Sequence, residues 1–173
     1  MTVLVGKQVP DFQATVVMPD NSINENFKFR DYIKGKIGVL FFWPADFTFV
    51  CPTEVIAFNN RLKDFEERGV VIAGCSIDSQ FVHLTWKKTP PGNGGIGDVK
   101  FPIIADISGN IAKTYDVLAD SNLAFRATFL IDRHGKVVHQ IVNEAAIGRN
   151  IDELIRTIDA LIFSEEHGEV CPA

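Results

Sequence analysis

Three cysteines in 173 residues, none paired as C-x-x-C, are too few and too widely spaced for a disulfide framework. Cys51, Cys75 and Cys171 therefore fit a reducing compartment, where a disulfide is transient and catalytic. The four histidines, His83, His134, His139 and His167, have no ligand spacing, so neither a structural zinc site nor any other metal is expected. There is no G-x-S-x-G, no H-E-x-x-H and no phosphate loop. No block of basic residues occurs, and net charge is −5, which makes nucleic acid and anionic membrane poor partners. Apolar runs are short, as in residues 39–43, whereas a spanning helix needs about 20 apolar residues. The first residues lack the basic start and apolar run of a signal peptide, and a cytoplasmic protein is expected.

What remains is an ordinary globular composition, 46% hydrophobic and 23% charged. The length suits one domain, taken as 1–173 with a tail from about residue 164. Residues 39–43 are continuously apolar, as in a strand buried on both faces. Over 52–68 the period changes. Val55, Phe58, Leu62 and Phe65 recur every three or four residues, which predicts one amphipathic helix ended by Gly69. Residues 70–75 predict the next buried strand, 101–105 a short one, 110–115 a short helix and 127–131 another strand. Asp132-Arg133-His134-Gly135 reads as a turn, with 137–142 pairing back as a hairpin. A last helix carries Ile151, Leu154, Ile155, Ile158, Leu161 and Ile162 on one stripe, capped by Asn150. The order predicts an α/β fold, a mixed sheet flanked by helices.

Cys51 is the first candidate for chemistry. It precedes Pro52, which is favoured in a first helical turn, so it sits at a helix start. Free N–H groups and the helix dipole there favour thiolate, the nucleophilic form of a cysteine. The plain alternative is an inert buried thiol. Cys75 ends a buried strand and reads as a core residue. Cys171 lies in a polar tail, where it could be idle, oxidised or paired with another thiol. Arg126 enters an apolar strand; it is either exposed or aimed into a pocket, where it would face a thiolate and a bound oxygen. Residues 92–97 match G-x-G-x-x-G by letter only. Pro90-Pro91 precedes them and no helix pattern follows, so they read as a glycine loop and no dinucleotide cofactor is expected.

Pro44-Ala45-Asp46-Phe47-Thr48-Phe49-Val50-Cys51 matches the P-x-x-x-T-x-x-C motif, and the chain resembles the peroxiredoxins. The stretch 46–54 is similar, almost letter for letter, to typical two-cysteine members. Gly168 to Ala173 resembles their resolving-cysteine segment, and Gly94 to Gly97 their glycine loop. The likeness covers residues 5–173 and is strongest to bacterial alkyl hydroperoxide reductase C-type peroxidases.

This resemblance implies a thioredoxin-like fold with extra N-terminal strands, and reduction of hydroperoxides without cofactor or metal. Cys51 would be peroxidatic and Cys171 resolving, through a disulfide between subunits. Thr48 would hydrogen-bond thiolate and peroxide, Pro44 would shield them, Arg126 would hold the charge and Glu54 would orient an arginine. It also implies a homodimer that builds decameric rings, reduced by thioredoxin or a flavoprotein disulfide reductase. A holdase chaperone is the alternative from another class; a thiol–disulfide oxidoreductase is disfavoured without C-x-x-C. The chain departs from the family at Trp43 and Ala45, which is expected to alter packing rather than chemistry. Family members usually carry a further segment after the resolving cysteine; with two residues after Cys171, relative resistance to overoxidation is expected.

Overall fold

Alternation along the central strands divides the interior into two apolar layers. In the computed structural model, which describes residues 2–168, strand β3 (Ile37–Phe42) is buried throughout. Leu40 and Phe42 face one layer, while Val39 and Phe41 face the other. Strand β4 (Val70–Ser76) repeats this. Ala73 and Cys75 join the first layer, Val70 and Ile72 the second.

Seven strands form one sheet in the order β2-β1-β5-β4-β3-β6-β7. Here β1 is Gln13–Val17, β2 Ile23–Lys28, β5 Ile103–Ala105, β6 Arg126–Ile131 and β7 Val137–Asn143. β3 runs parallel to β4 and β4 to β5, and the remaining neighbours are antiparallel. Helices α1 (Phe29–Ile33) and α5 (Asn110–Thr114) pack on the first layer. The second is covered by α2 (Cys51–Asn60), α3 (Leu62–Glu67), α4 (Gln80–Lys88) and α6 (Ile151–His167). This is the expected mixed α/β sheet, with the thioredoxin-like arrangement and the additional N-terminal strands.

Several predicted elements need correction. The single helix over 52–68 is two helices. At Arg61 the backbone turns to φ −102°, ψ 10°. Asn59 and Asn60 are weak helix formers, and the Asn59 Oδ1 accepts from the Lys100 N–H at 2.9 Å. The apolar stripe nevertheless continues, with Phe58 and Phe65 stacked 6.1 Å apart, and Gly69 ends it at φ +67°.

Helix α4 carries no readable stripe, because its buried side presents His83, Trp86 and Lys87 while Phe81 faces solvent. Strands β1 and β2 escaped the residue reading because β2, at the sheet edge, is polar and mostly exposed.

The hairpin turn is as expected: Asp132 Oδ1 accepts from the N–H groups of His134 and Lys136, both at 2.9 Å. So is the Asn150 cap, which accepts from Asp152 and Glu153 at 2.9 and 3.2 Å. Helix α6 continues through His167, so the segment read as tail from about 164 is helical to that point. Among the described residues, no helix is long and apolar enough to cross a membrane.

Gly74 lets the second layer close. A Cβ there would lie 2.6 Å from the Trp43 ring and 2.9 Å from Phe41. The bare backbone admits both rings, and Trp43 and Phe41 in turn meet Trp86 and Phe58, at 5.9 and 4.0 Å. Helix α2, with Cys51 at its start, rests on this aromatic layer.

Candidate active site

Cys51 is the first residue of α2, with Pro52 behind it in the first turn. Val50 supplies no side-chain cap; its carbonyl instead accepts from the N–H of Thr53 at 3.1 Å and of Glu54 at 3.4 Å. The dipole of α2 therefore presents its positive end at Cys51. The residue is completely buried, in contact with the second apolar layer.

One turn along the helix, Glu54 is on the same side and also buried. Arg126, at the start of β6, reaches both. Its Nη1 lies 3.3 Å from Cys51 Sγ and 2.6 Å from Glu54 Oε2, and its Nε donates to the Ala145 carbonyl at 2.7 Å. Only 4% of Arg126 is exposed, which settles the choice left open by the sequence in favour of the pocket.

A second arginine, unnoticed in the sequence, completes the group. Arg149 donates to Glu54 through its backbone N–H (2.9 Å), Nε (3.1 Å) and Nη2 (3.0 Å). Its Nη1 donates to the carbonyls of Phe42 and Ala127, at 2.7 and 2.9 Å. The guanidinium carbon sits over the Phe41 ring, 5.1 Å from its centroid. Arg149 lies in an irregular segment just before the Asn150 cap, where an arginine ordinarily faces solvent. The available signal was indirect: a carboxylate such as Glu54 in the first turn of a buried helix needs cations to balance it.

The electrostatics follow from a count. Two guanidinium groups share one carboxylate, which leaves one positive charge uncompensated, and it faces Sγ. For Glu54, burial works to raise the pKa. The Arg149 charge and hydrogen bonds, then Arg126, outweigh it and hold the carboxyl below its ordinary value of 4.5.

The segment 44–50 joins β3 to this helix start. Pro44 is buried and Thr48 is exposed. The Thr48 hydroxyl donates to the Ala45 carbonyl at 3.2 Å, so its proton is directed to its own segment and not to Cys51 as the resemblance implies. Its lone pairs remain available as acceptors. Cys51, Glu54 and Arg126 are thus brought together, Pro44 and Thr48 lie on the segment leading to them, and Cys171 lies outside the described residues. Cys75 is a free, fully buried thiol on the opposite face of the sheet. The glycine loop contains a short 3-10 turn at Pro91–Asn93 and opens no helix, in keeping with its rejection as a nucleotide site.

Comparison with known proteins bears on the family and the fold. Residues 5–140 match the AhpC/TSA family. The chain is 52% identical over 170 residues to alkyl hydroperoxide reductase C of Helicobacter pylori, covering 98% of this chain and 86% of that protein. It is 48% identical to peroxiredoxin-2 of Macaca fascicularis, covering 98% and 84%. The crystal structure of reduced Plasmodium vivax 2-Cys peroxiredoxin superposes with a TM-score of 0.95 at 48% identity, covering 99% of this chain and 89% of that one. Enterococcus faecalis AhpC gives 0.89 at 33% identity, covering 99% and 100%.

Proposed function

The chain belongs to the AhpC/TSA family and is a thiol-dependent peroxidase of the peroxiredoxin type; from that premise we propose that Cys51 is its peroxidatic cysteine. The observation that carries this is the unbalanced guanidinium charge 3.3 Å from Sγ at a helix start. A thiolate neutralises the Cys51–Glu54–Arg126–Arg149 group, and thiolate is the nucleophile.

The Cys51 sulfur attacks one peroxide oxygen and the O–O bond breaks. The departing oxygen takes a proton and leaves as water or an alcohol, and Cys51 becomes a sulfenic acid. Arg126 donates toward the oxygen on which charge develops. Glu54 and Arg149 are positioning residues that hold Arg126 in place. Thr48 accepts a hydrogen bond from the peroxide O–H through its free lone pairs, and Pro44 walls off the sulfur.

The Cys171 thiol of a second subunit then condenses with the sulfenic acid, forming the disulfide and releasing water. An external dithiol, thioredoxin or a flavoprotein disulfide reductase, restores both thiols by exchange. Hydrogen peroxide and organic hydroperoxides are both substrates, and the setting is the cytoplasm, a reading supported by cysteines too few and too widely spaced for a disulfide framework. Exposed apolar side chains near the site, Phe47, Phe49, Val50 and Phe81, support assembly into dimers and a decameric ring.

The test is a coupled NAD(P)H assay, with thioredoxin plus its reductase in one arm and a flavoprotein reductase in the other. Peroxide-dependent oxidation of NAD(P)H in one arm is expected, lost in Cys51→Ser. Turnover by Cys51→Ser at the wild-type rate would overturn the assignment. Peroxide-treated wild type should run as a covalent dimer on a non-reducing gel, and Cys171→Ser should not.

A further inference from the structure

One set of buried polar side chains has no part in this chemistry. It lies beneath the segment 44–50 and centres on Asp46. Asp46 Oδ2 is 2.6 Å from His83 Nδ1 on α4. Its Oδ1 accepts from Trp43 Nε1–H at 2.9 Å, with the Ser76 Oγ 3.3 Å away. The Asp46 N–H donates to Asp78 Oδ2 at 2.7 Å, and the Ser76 hydroxyl donates to the same oxygen at 2.8 Å.

His83 is completely buried, and its Nε2 faces the Ile104 carbonyl of β5 at 3.1 Å. A carbonyl only accepts, so Nε2 is the donor to Ile104, while Nδ1 faces the carboxylate. Asp46 thus ties the segment to β3, β4 and α4, and through the imidazole to β5.

Beyond Asp46 the segment is loosely held. Phe47 has a left-handed backbone, φ +53°, and its ring is tilted 49° to that of Trp86 with ring centres 6.1 Å apart. Phe49 is fully exposed. The Thr48 hydroxyl bonds within the segment itself. Asp46 is therefore the last firm attachment before Cys51.

The two half-reactions make opposite demands on that attachment. Peroxide reduction needs Cys51 held against Arg126. Disulfide formation needs Sγ, now completely buried, to meet a thiol carried on another stretch of chain, so the helix start must open.

We propose that Asp46, clamped by His83, is a positioning residue that keeps segment 44–50 closed over Cys51 and so sets how readily oxidised Cys51 opens to its resolving thiol. This rests on the peroxidase reading of Cys51 and Cys171. A weakened clamp slows the first half-reaction and speeds the second.

The protein carries its own reporters, because its two tryptophans, Trp43 and Trp86, both contact this region. Stopped-flow tryptophan fluorescence of the full chain mixed with hydrogen peroxide should show a peroxide-dependent phase followed by a peroxide-independent one. In His83→Asn, loss of a hydrogen bond to a charged group should speed the second phase about ten-fold and slow the first. Intact mass at matched peroxide should show less sulfinic Cys51. Ser76→Ala, which keeps the imidazole, should shift both phases in the same directions by roughly three-fold, and it decides the matter if His83→Asn fails to fold.

Both phases slowing together, or a second phase unchanged in a folded variant, would overturn the clamp while leaving the peroxidase assignment intact. A wild type without a peroxide-dependent phase would overturn the Cys51 assignment, and the clamp with it.

Discussion

Cys51 and Cys75 are equally buried and lie on opposite faces of one sheet, yet only one faces a cation. Cys51 begins α2 and has the Arg126 guanidinium 3.3 Å away. Cys75 pairs with Phe42 in the parallel ladder and lies among apolar side chains. Burial pushes its thiol well above the ordinary value, and the nearby Asp106 carboxylate adds to that shift. The contrast is one of surroundings: equal burial puts one thiol beside a cation and the other among apolar side chains, and a neighbouring cation is what favours thiolate.

The largest test of this contrast is direct replacement. Cys51→Ser should lower peroxide turnover by roughly 10³-fold or more, and Cys75→Ala should leave it within about two-fold, measured as kcat/KM. A reversed result would break the comparison.

Removing the cation without touching the thiol comes next. Arg126→Met takes away the N–H aimed at Sγ and should reduce kcat/KM for peroxide by ~10²–10³-fold, the usual magnitude for a lost oxyanion-type donor. If activity persisted near wild type, the charge beside Cys51 would not be what separates the two cysteines.

Glu54→Gln acts through the arginines. It leaves two buried guanidinium groups without their carboxylate, and an unpaired buried charge destabilises by about 3–5 kcal/mol. The urea midpoint should fall accordingly, whereas Cys75→Ala should shift it much less.

The smallest effect is on pH dependence. The folded pKa of Glu54 lies below its ordinary 4.5, so the unfolded chain binds the proton first on acidification. Its contribution to stability is complete above about pH 4.5 and is lost as pH falls through the depressed native value. Between pH 5 and 3 the denaturation midpoint should fall more steeply in wild type than in Glu54→Gln. Equal slopes would remove Glu54 as the acid-sensitive member of the site.

Much of this was legible in one dimension. Continuous apolar runs marked β3, β4 and β6, as expected of strands buried on both faces, and a period of about 3.6 marked α6. Pro52 after Cys51 placed the candidate nucleophile at a helix start, since proline's missing N–H is tolerated there. Local grammar also marked the 132–135 turn, the Asn150 cap and Gly69 as a helix end.

Other features depended on contacts between distant segments. Helix α4 is buried through His83 and Lys87, polar residues that no hydrophobic pattern detects, because their hydrogen bonds go to Asp46 and Met18. Whether Arg126 faced water or sulfur depended on where β6 lay relative to α2, 72 residues from Glu54 in sequence. Arg149 entered the site across 95 residues. The sequence by itself determined the central strands, the last helix and the candidate nucleophile, since those follow from backbone sterics and short-range periodicity. Only the tertiary structure decided which charges share a buried site, since Coulomb interactions depend on separation in space and on exclusion of water, not on separation along the chain.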